Sequence, residues 1–161
     1  MKVRDIMTEP PLTCGPETSL AVAARLMREA DYGTLPVVDS RGRLVGIITD
    51  RDICLAVAGS NRNAINIAVH EAMTQKVCSA LLDDDVHSAL AAMKHARIRR
   101  LPVRDDSGHL KGILSIEDVI VRGLQSDGVS TDEIVAALRA MYVRVPVAVE
   151  PNRTENGFTP G

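Results

Sequence analysis

Two four-residue stretches hold side chains whose types and spacing suit chemistry: Thr49-Asp50-Arg51-Asp52 and Ser115-Ile116-Glu117-Asp118. In each, a hydroxyl stands three positions before a carboxylate, directly after an apolar run, "LVGII" in one and "LKGIL" in the other. Where a strand gives way to a helix, the first helical turn offers free backbone N–H groups and a positive dipole end. A carboxylate at such a corner is suited to pair with two vicinal ribose hydroxyls, as an acid does in dinucleotide-binding folds. A neighbouring hydroxyl and the helix N-terminus suit phosphate. The same spacing also has a plainer use, as a capping box in which hydroxyl and acid satisfy the helix's own backbone.

Other chemistry is poorly supported. His70, His87, His95 and His109 show no metal-ligand spacing with one another or with cysteine, and read as surface polar groups. Cys14, Cys54 and Cys78 are odd in number and far apart, and read as small buried hydrophobes in a reducing compartment. Gly42 and Gly46 belong to a hairpin and strand rather than to a phosphate loop. Asp83, Asp84 and Asp85 are explained by a helix start. No nucleophile motif is present, so no enzymatic activity is expected. The net charge of −2 gives no reason to expect a nucleic-acid partner. No apolar run spans a bilayer and no signal peptide is evident, so a cytoplasmic location without membrane contact is expected. With one Phe, two Tyr and no Trp, the core must be aliphatic.

The two corners belong to a repeat. At a constant offset of 66, "VRDIMT" at 3–8 aligns with "VHEAMT" at 69–74, "LPVVD" with "LPVRD", and "GRLVGI" with "GHLKGI". Fifteen of the 51 pairs between 3–53 and 69–119 are identical, which marks a duplicated unit. Each unit reads as a short extended piece ("PLTC", "VCSA"), a helix (18–31, 84–97), two strands joined by a short turn, and a second helix running to about Ala58 or Leu124. Leu20, Ala23, Ala24, Met27 and Ala30 form the apolar face of the first helix; Val86, Ala89, Leu90, Met93 and Ala96 repeat it. The fold class is therefore α/β (α+β): two β-α-β-β-α repeats packed sheet-to-sheet about a pseudo-two-fold axis, because a unit this small buries little surface alone. The expected division is 1–60 for the first repeat, 61–68 for a linker, 69–126 for the second repeat, 127–145 for a C-terminal helix and 146–161 for a flexible tail. Ser130 and Glu133 cap that helix, whose stripe of Ile134, Ala137, Leu138 and Met141 suits packing on its own domain or a dimer contact.

The ordered set Met-Thr, helix, "LPVVD", "LVGIITDRDI", written twice, resembles the CBS domain, named after cystathionine β-synthase. The resemblance covers 3–53 and 69–120, and a tandem pair of such domains is a Bateman module. It implies a regulatory sensor that binds adenosine compounds (AMP, ADP, ATP, S-adenosylmethionine or nicotinamide dinucleotides) in clefts between the repeats. It further implies a homodimer and an unidentified regulated protein. The alternative is a structural or interaction module without a small ligand. By the resemblance, Asp52 and Asp118 hold ribose, Thr49 and Ser115 meet ribose or phosphate, and Arg51 and Glu117 face the ligand. The base is expected against Leu12, Thr13, Tyr32 and Thr34 in one cleft, and against Val77, Ser79, Ile98, Arg99 and Arg100 in the other. Arg51 against Glu117 implies unequal clefts, with the Thr49, Arg51 and Asp52 cleft favoured for an anionic nucleotide. The other suits a less charged adenosine compound, unless Arg99 serves phosphate.

Overall fold

Ser19 and Asp85 stand 66 residues apart and do the same job. Ser19 Oγ accepts from Val22 N–H at 3.4 Å, and Asp85 Oδ1 accepts from His87 N–H at 2.9 Å. They open α1 (Leu20–Ala30) and α3 (Val86–Ala96) in the computed structural model, which describes residues 1–124 and 128–143. Both helices end through a left-handed residue, Asp31 and Arg97. Leu20, Ala23 and Met27 are buried on α1, and Val86, Ala89, Leu90 and Met93 on α3. Ala24 and Ala96, expected on the same faces, are exposed.

Each unit then forms a hairpin. Strand β1 (Thr34–Val38) pairs antiparallel with β2 (Leu44–Thr49), and β4 (Arg100–Arg104) with β5 (Leu110–Ser115), with a bulge at the same place in both. Gly42 and Gly108 take the positive φ that their turns require, at +76° and +86°. The extended piece before α3 becomes β3 (Ala80–Leu81), parallel to β4; its counterpart is a single bridge from Cys14 to Val37. Two sheets and flanking helices make an α+β body.

Reciprocal bonds reveal the pseudo-two-fold. Leu44 N–H donates to Gly108 O at 3.0 Å, and Leu110 N–H to Gly42 O at 3.1 Å. Thr8 exchanges both backbone bonds with Ile113, and Thr74 does the same with Ile47. The leading segments are thereby exchanged. Val3, Ile6 and Met7 are buried in the second repeat's core with Leu101, Val103 and Leu114, while Ile67 and Val69 lie in the first repeat's core with Leu35, Val37 and Ile48. Packing thus crosses the boundaries expected at residues 1 and 69. Each such fully buried aliphatic side chain contributes about 1.5–3 kcal/mol. Met7 and Met73 lie over Gly112 and Gly46; a Cβ on either glycine would come within 2.7 Å and 2.4 Å of the sulfur.

The second helices differ. Helix α2 spans Asp50–Ala58, whereas α4 (Ile116–Asp118) continues as a π-helical turn over Val119–Gly123, short of the regular helix expected to Leu124. Helix α5 (Thr131–Tyr142) has the expected Ser130–Glu133 capping box and buries Ile134 and Ala137 in the second core against α3. The tail assigned to 146–161 lies outside the described residues. The cysteine reading needs correction: Cys14 is buried and its thiol pushed up to about 11 by that burial, but Cys54 and Cys78 are exposed. Cys54 lies on α2 away from Ile53, the buried residue of that helix, and Cys78 precedes β3.

Candidate functional site

Thr49 and Ser115 are the last residues of β2 and β5, and register pairs them with Thr34 and Arg100 at the starts of β1 and β4. Each corner is a complete capping box. Thr49 Oγ1 accepts from Asp52 N–H at 3.1 Å, while Asp52 Oδ2 accepts from the Thr49 amide at 2.9 Å and hydroxyl at 2.7 Å. Ser115 Oγ accepts from Asp118 N–H at 3.1 Å, while Asp118 Oδ2 accepts from the Ser115 amide at 2.9 Å and hydroxyl at 2.5 Å. The box uses one oxygen of each carboxylate and leaves Oδ1, so capping and diol binding are compatible.

The Oδ1 atoms meet different surroundings. Asp52 Oδ1 receives no hydrogen bond among the described residues. Asp118 Oδ1 accepts from the Thr8 hydroxyl at 3.2 Å and lies 3.6 Å from the Arg122 guanidinium, which also donates to the carbonyls of Ile6 and Met7 at 2.7 and 3.0 Å. Arg122 has no basic counterpart in the first repeat, where Ala56 occupies the matching position.

A cavity of about 220 Å³ opens at the second corner. One wall comes from the first half of the chain: Thr8, Pro10, Pro11, Leu12, Tyr32 and Thr34. The other comes from the second repeat: Arg100, Ile113, Ser115, Glu117 and Asp118. Leu12, Tyr32 and Thr34, expected together in one cleft, line this cavity with Ser115 and Asp118, while Thr34 also pairs in register with Thr49. For residues 10–12 the exchange of leading segments is the physical reason. Residue 8 is fixed to β5, so the chain that follows, 10–12, is laid across the second corner.

The remaining sequence candidates scatter. Thr13 lines a shallow surface depression with Cys14, Val22 and Asp39. Ser79 accepts from Arg104 Nε at 3.0 Å, and Ile98 packs against the second core. Val77 is half-buried before β3. Arg51 is exposed on the first turn of α2. Arg99 is turned away from the cavity: it donates to the Tyr142 hydroxyl at 3.0 Å with its guanidinium 5.8 Å from that ring's centroid. Arg100 stays in the cavity wall, 3.8 Å from Glu117. Thr8, Pro10, Pro11 and Ile113 were missed as site residues. Thr8 carried a usable signal, since the Met-Thr pair recurs as Met73-Thr74, whereas Pro10 and Pro11 align with Lys76 and Val77 and carried none.

Among the described residues, no cluster of His, Cys, Asp or Glu is arranged to hold a metal, and no helix is long and apolar enough to cross a membrane. The CBS domain family profile matches residues 3–59 and 69–123. The chain belongs to the CBS domain family. Over 118 residues it is 41% identical to an uncharacterized 17.7 kDa protein of Acidianus ambivalens, covering 73% of this chain and 70% of that one. For two further curated relatives, the matched stretch is only 57% and 22% of their length. The CBS domain pair of protein MJ0100, solved with 5′-methylthioadenosine and S-adenosyl-L-methionine, superposes with a TM-score of 0.68 at 34% identity, covering 79% of this chain and 98% of that one. CBSX2, solved in complex with AMP, superposes with a TM-score of 0.69 at 29% identity over 78% and 98% of the respective chains. This tandem CBS pair therefore shares its fold with proteins that hold adenosine compounds.

Proposed function

We propose that this tandem CBS pair is a regulatory module that binds adenosine-containing ligands between its repeats and passes occupancy to a partner protein as a change of shape. The observation that carries the reading is the cavity at the second corner. Apolar Pro11 and Leu12 from one wall and Ile113 from the other line the same cavity as the hydroxyl and carboxylate of Ser115 and Asp118, the mix that a base and a ribose require. Its volume of about 220 Å³ is below the roughly 300–1,000 Å³ of common ligand sites, which favours a nucleoside-sized group over an enclosed dinucleotide. The solved relatives that hold AMP, methylthioadenosine and S-adenosylmethionine support the same class.

Because the cavity has walls from both repeats, a ligand that prefers one angle between them shifts the populations of the two arrangements. A homodimer is the natural reader of that shift. Leu55 and Val121, 66 positions apart on α2 and the π-turn, are each 59% exposed and offer matched apolar faces to a second copy.

The test is isothermal titration with AMP, ADP, ATP and S-adenosylmethionine, beside native mass spectrometry of the freshly purified protein. At least one compound binds the wild type, and Asp118→Ala weakens it by about tenfold or more, the loss of a charge-assisted contact to the sugar. If no adenosine compound binds, or Asp52→Ala/Asp118→Ala binds as the wild type does, the module is an interaction scaffold whose corners only cap helices.

A further inference from the structure

The two corners differ most at one position. Where the first copy has Arg51, the second has Glu117, in the wall of the cavity. Among the described residues, the arginines on and beside this wall are each in contact with another group. Among the described residues that line it, Arg100 alone is basic, and it faces Glu117 at 3.8 Å. Arg122, just behind, is committed to the Ile6 and Met7 carbonyls and to Asp118. Arg99 is drawn off to Tyr142. The wall thus carries two carboxylates, Glu117 and Asp118, against the single guanidinium of Arg100.

Resting on the adenosine reading above, we propose that this cleft selects adenosine compounds whose 5′ substituent is uncharged or cationic, a thioether or a sulfonium, and discriminates against 5′-phosphates. A phosphate entering beside the ribose of a nucleoside held by Asp118 meets the Glu117 carboxylate, which also faces Arg100, the guanidinium that the phosphate would recruit. Like charges brought together at the cavity mouth repel, most at low salt. A sulfonium or its ammonium tail meets Glu117 favourably, and a methylthio group brings no charge that the cleft must satisfy. The first corner, with Arg51, is left as the phosphate-tolerant one.

The experiment uses full-length protein carrying Asp52→Ala, which removes the carboxylate of the first corner. Calorimetric titration at low salt compares 5′-methylthioadenosine, S-adenosylmethionine and AMP. The first two bind at least about tenfold more tightly than AMP. Glu117→Arg, which copies the first repeat, reverses that order, and Glu117→Gln lowers the advantage of the sulfonium several-fold while leaving the thioether unchanged. Glu117 is exposed at the cavity mouth, so neither variant disturbs the core. The inference is overturned if AMP binds Asp52→Ala protein as tightly as the others, if Glu117→Arg leaves the order unchanged, or if Asp52→Ala abolishes binding that the wild type shows. Failure of the wild type to bind any of the three is a different result: it removes the adenosine reading itself, and this inference with it.

Discussion

The hydroxyl of Thr8 donates to Oδ1 of Asp118 at 3.2 Å, joining residues 110 apart in the chain. One end is the last residue of a repeated "MT" motif and the other is the acid of a repeated corner, yet the two belong to different copies. The bond fixes the carboxylate at the cavity and fastens the leading segment to the second repeat. Thr8→Val removes the donor while keeping the shape. It lowers the urea midpoint by the equivalent of about 1 kcal/mol, whereas Thr8→Ser stays near wild type. Equal midpoints for the two variants would mean that the tether contributes nothing.

Arg122 fastens the same segment from below. Arg122→Met keeps the aliphatic stem and deletes the bonds to Ile6 O and Met7 O. Because the side chain is about half exposed, the loss is about 1 kcal/mol rather than the larger cost of a buried charge-assisted pair. Hydrogen exchange should localise it, with the Met7 and Thr8 amides opening faster while those of β1 and β2 are unchanged.

The methionine-on-glycine contacts differ between the copies in a way stability can read. The three atoms nearest a Cβ at Gly46 all belong to the Met73 side chain, which can rotate aside. At Gly112 it meets Met7 Sδ at 2.7 Å and also the backbone oxygen of Thr8 at 2.9 Å, which cannot move without loosening the bonds to Ile113. Gly112→Ala therefore costs about 1–3 kcal/mol in urea unfolding, and Gly46→Ala distinctly less. An equal cost would show that the backbone contact is relieved elsewhere.

Helix α5 is held by an acid-sensitive clasp. Bonds from the Ser130 amide and hydroxyl, and then from His87, hold the Glu133 carboxyl down at about 2. A carboxyl depressed on folding stabilises the folded state above its ordinary value of 4.5, and the effect is lost as pH falls toward about 2. The gap in melting temperature between wild type and Glu133→Gln should thus be full at neutral pH and close across that interval. With Tyr32→Phe, Tyr142 is the sole tyrosine, and its fluorescence reports whether α5 leaves α3 first. A gap independent of pH would refute the assignment.

Much of the fold was legible because local signals and repetition agreed. Ser19, Asp85 and Ser130 cap the expected helices, and Gly42 and Gly108 turn the expected hairpins, since caps and turns depend on neighbours within a few residues. The π-turn after Asp118 was not legible, because it coincides with tertiary contacts of Arg122 that no local pattern encodes. The separate fates of Arg99 and Arg100 were equally hidden. Adjacent on the chain, they point to different places, and the partner that claims Arg99 lies on a helix more than thirty residues away.

By itself the sequence determined the duplicated unit, the two hydroxyl–carboxylate corners and the charge difference between Arg51 and Glu117. These follow from residue types and from a constant offset, which survive any rigid arrangement of the halves. Only the tertiary structure decided which wall faces which corner. Each leading segment finds its strand partner in the other repeat, Thr8 on Ile113 and Thr74 on Ile47. Both copies offer nearly the same β edge, so sequence pattern does not distinguish pairing within a copy from pairing across copies. Burial of Val3, Ile6 and Met7 in the second core settles it, and that choice lays Pro10, Pro11 and Leu12 along the cavity at Asp118.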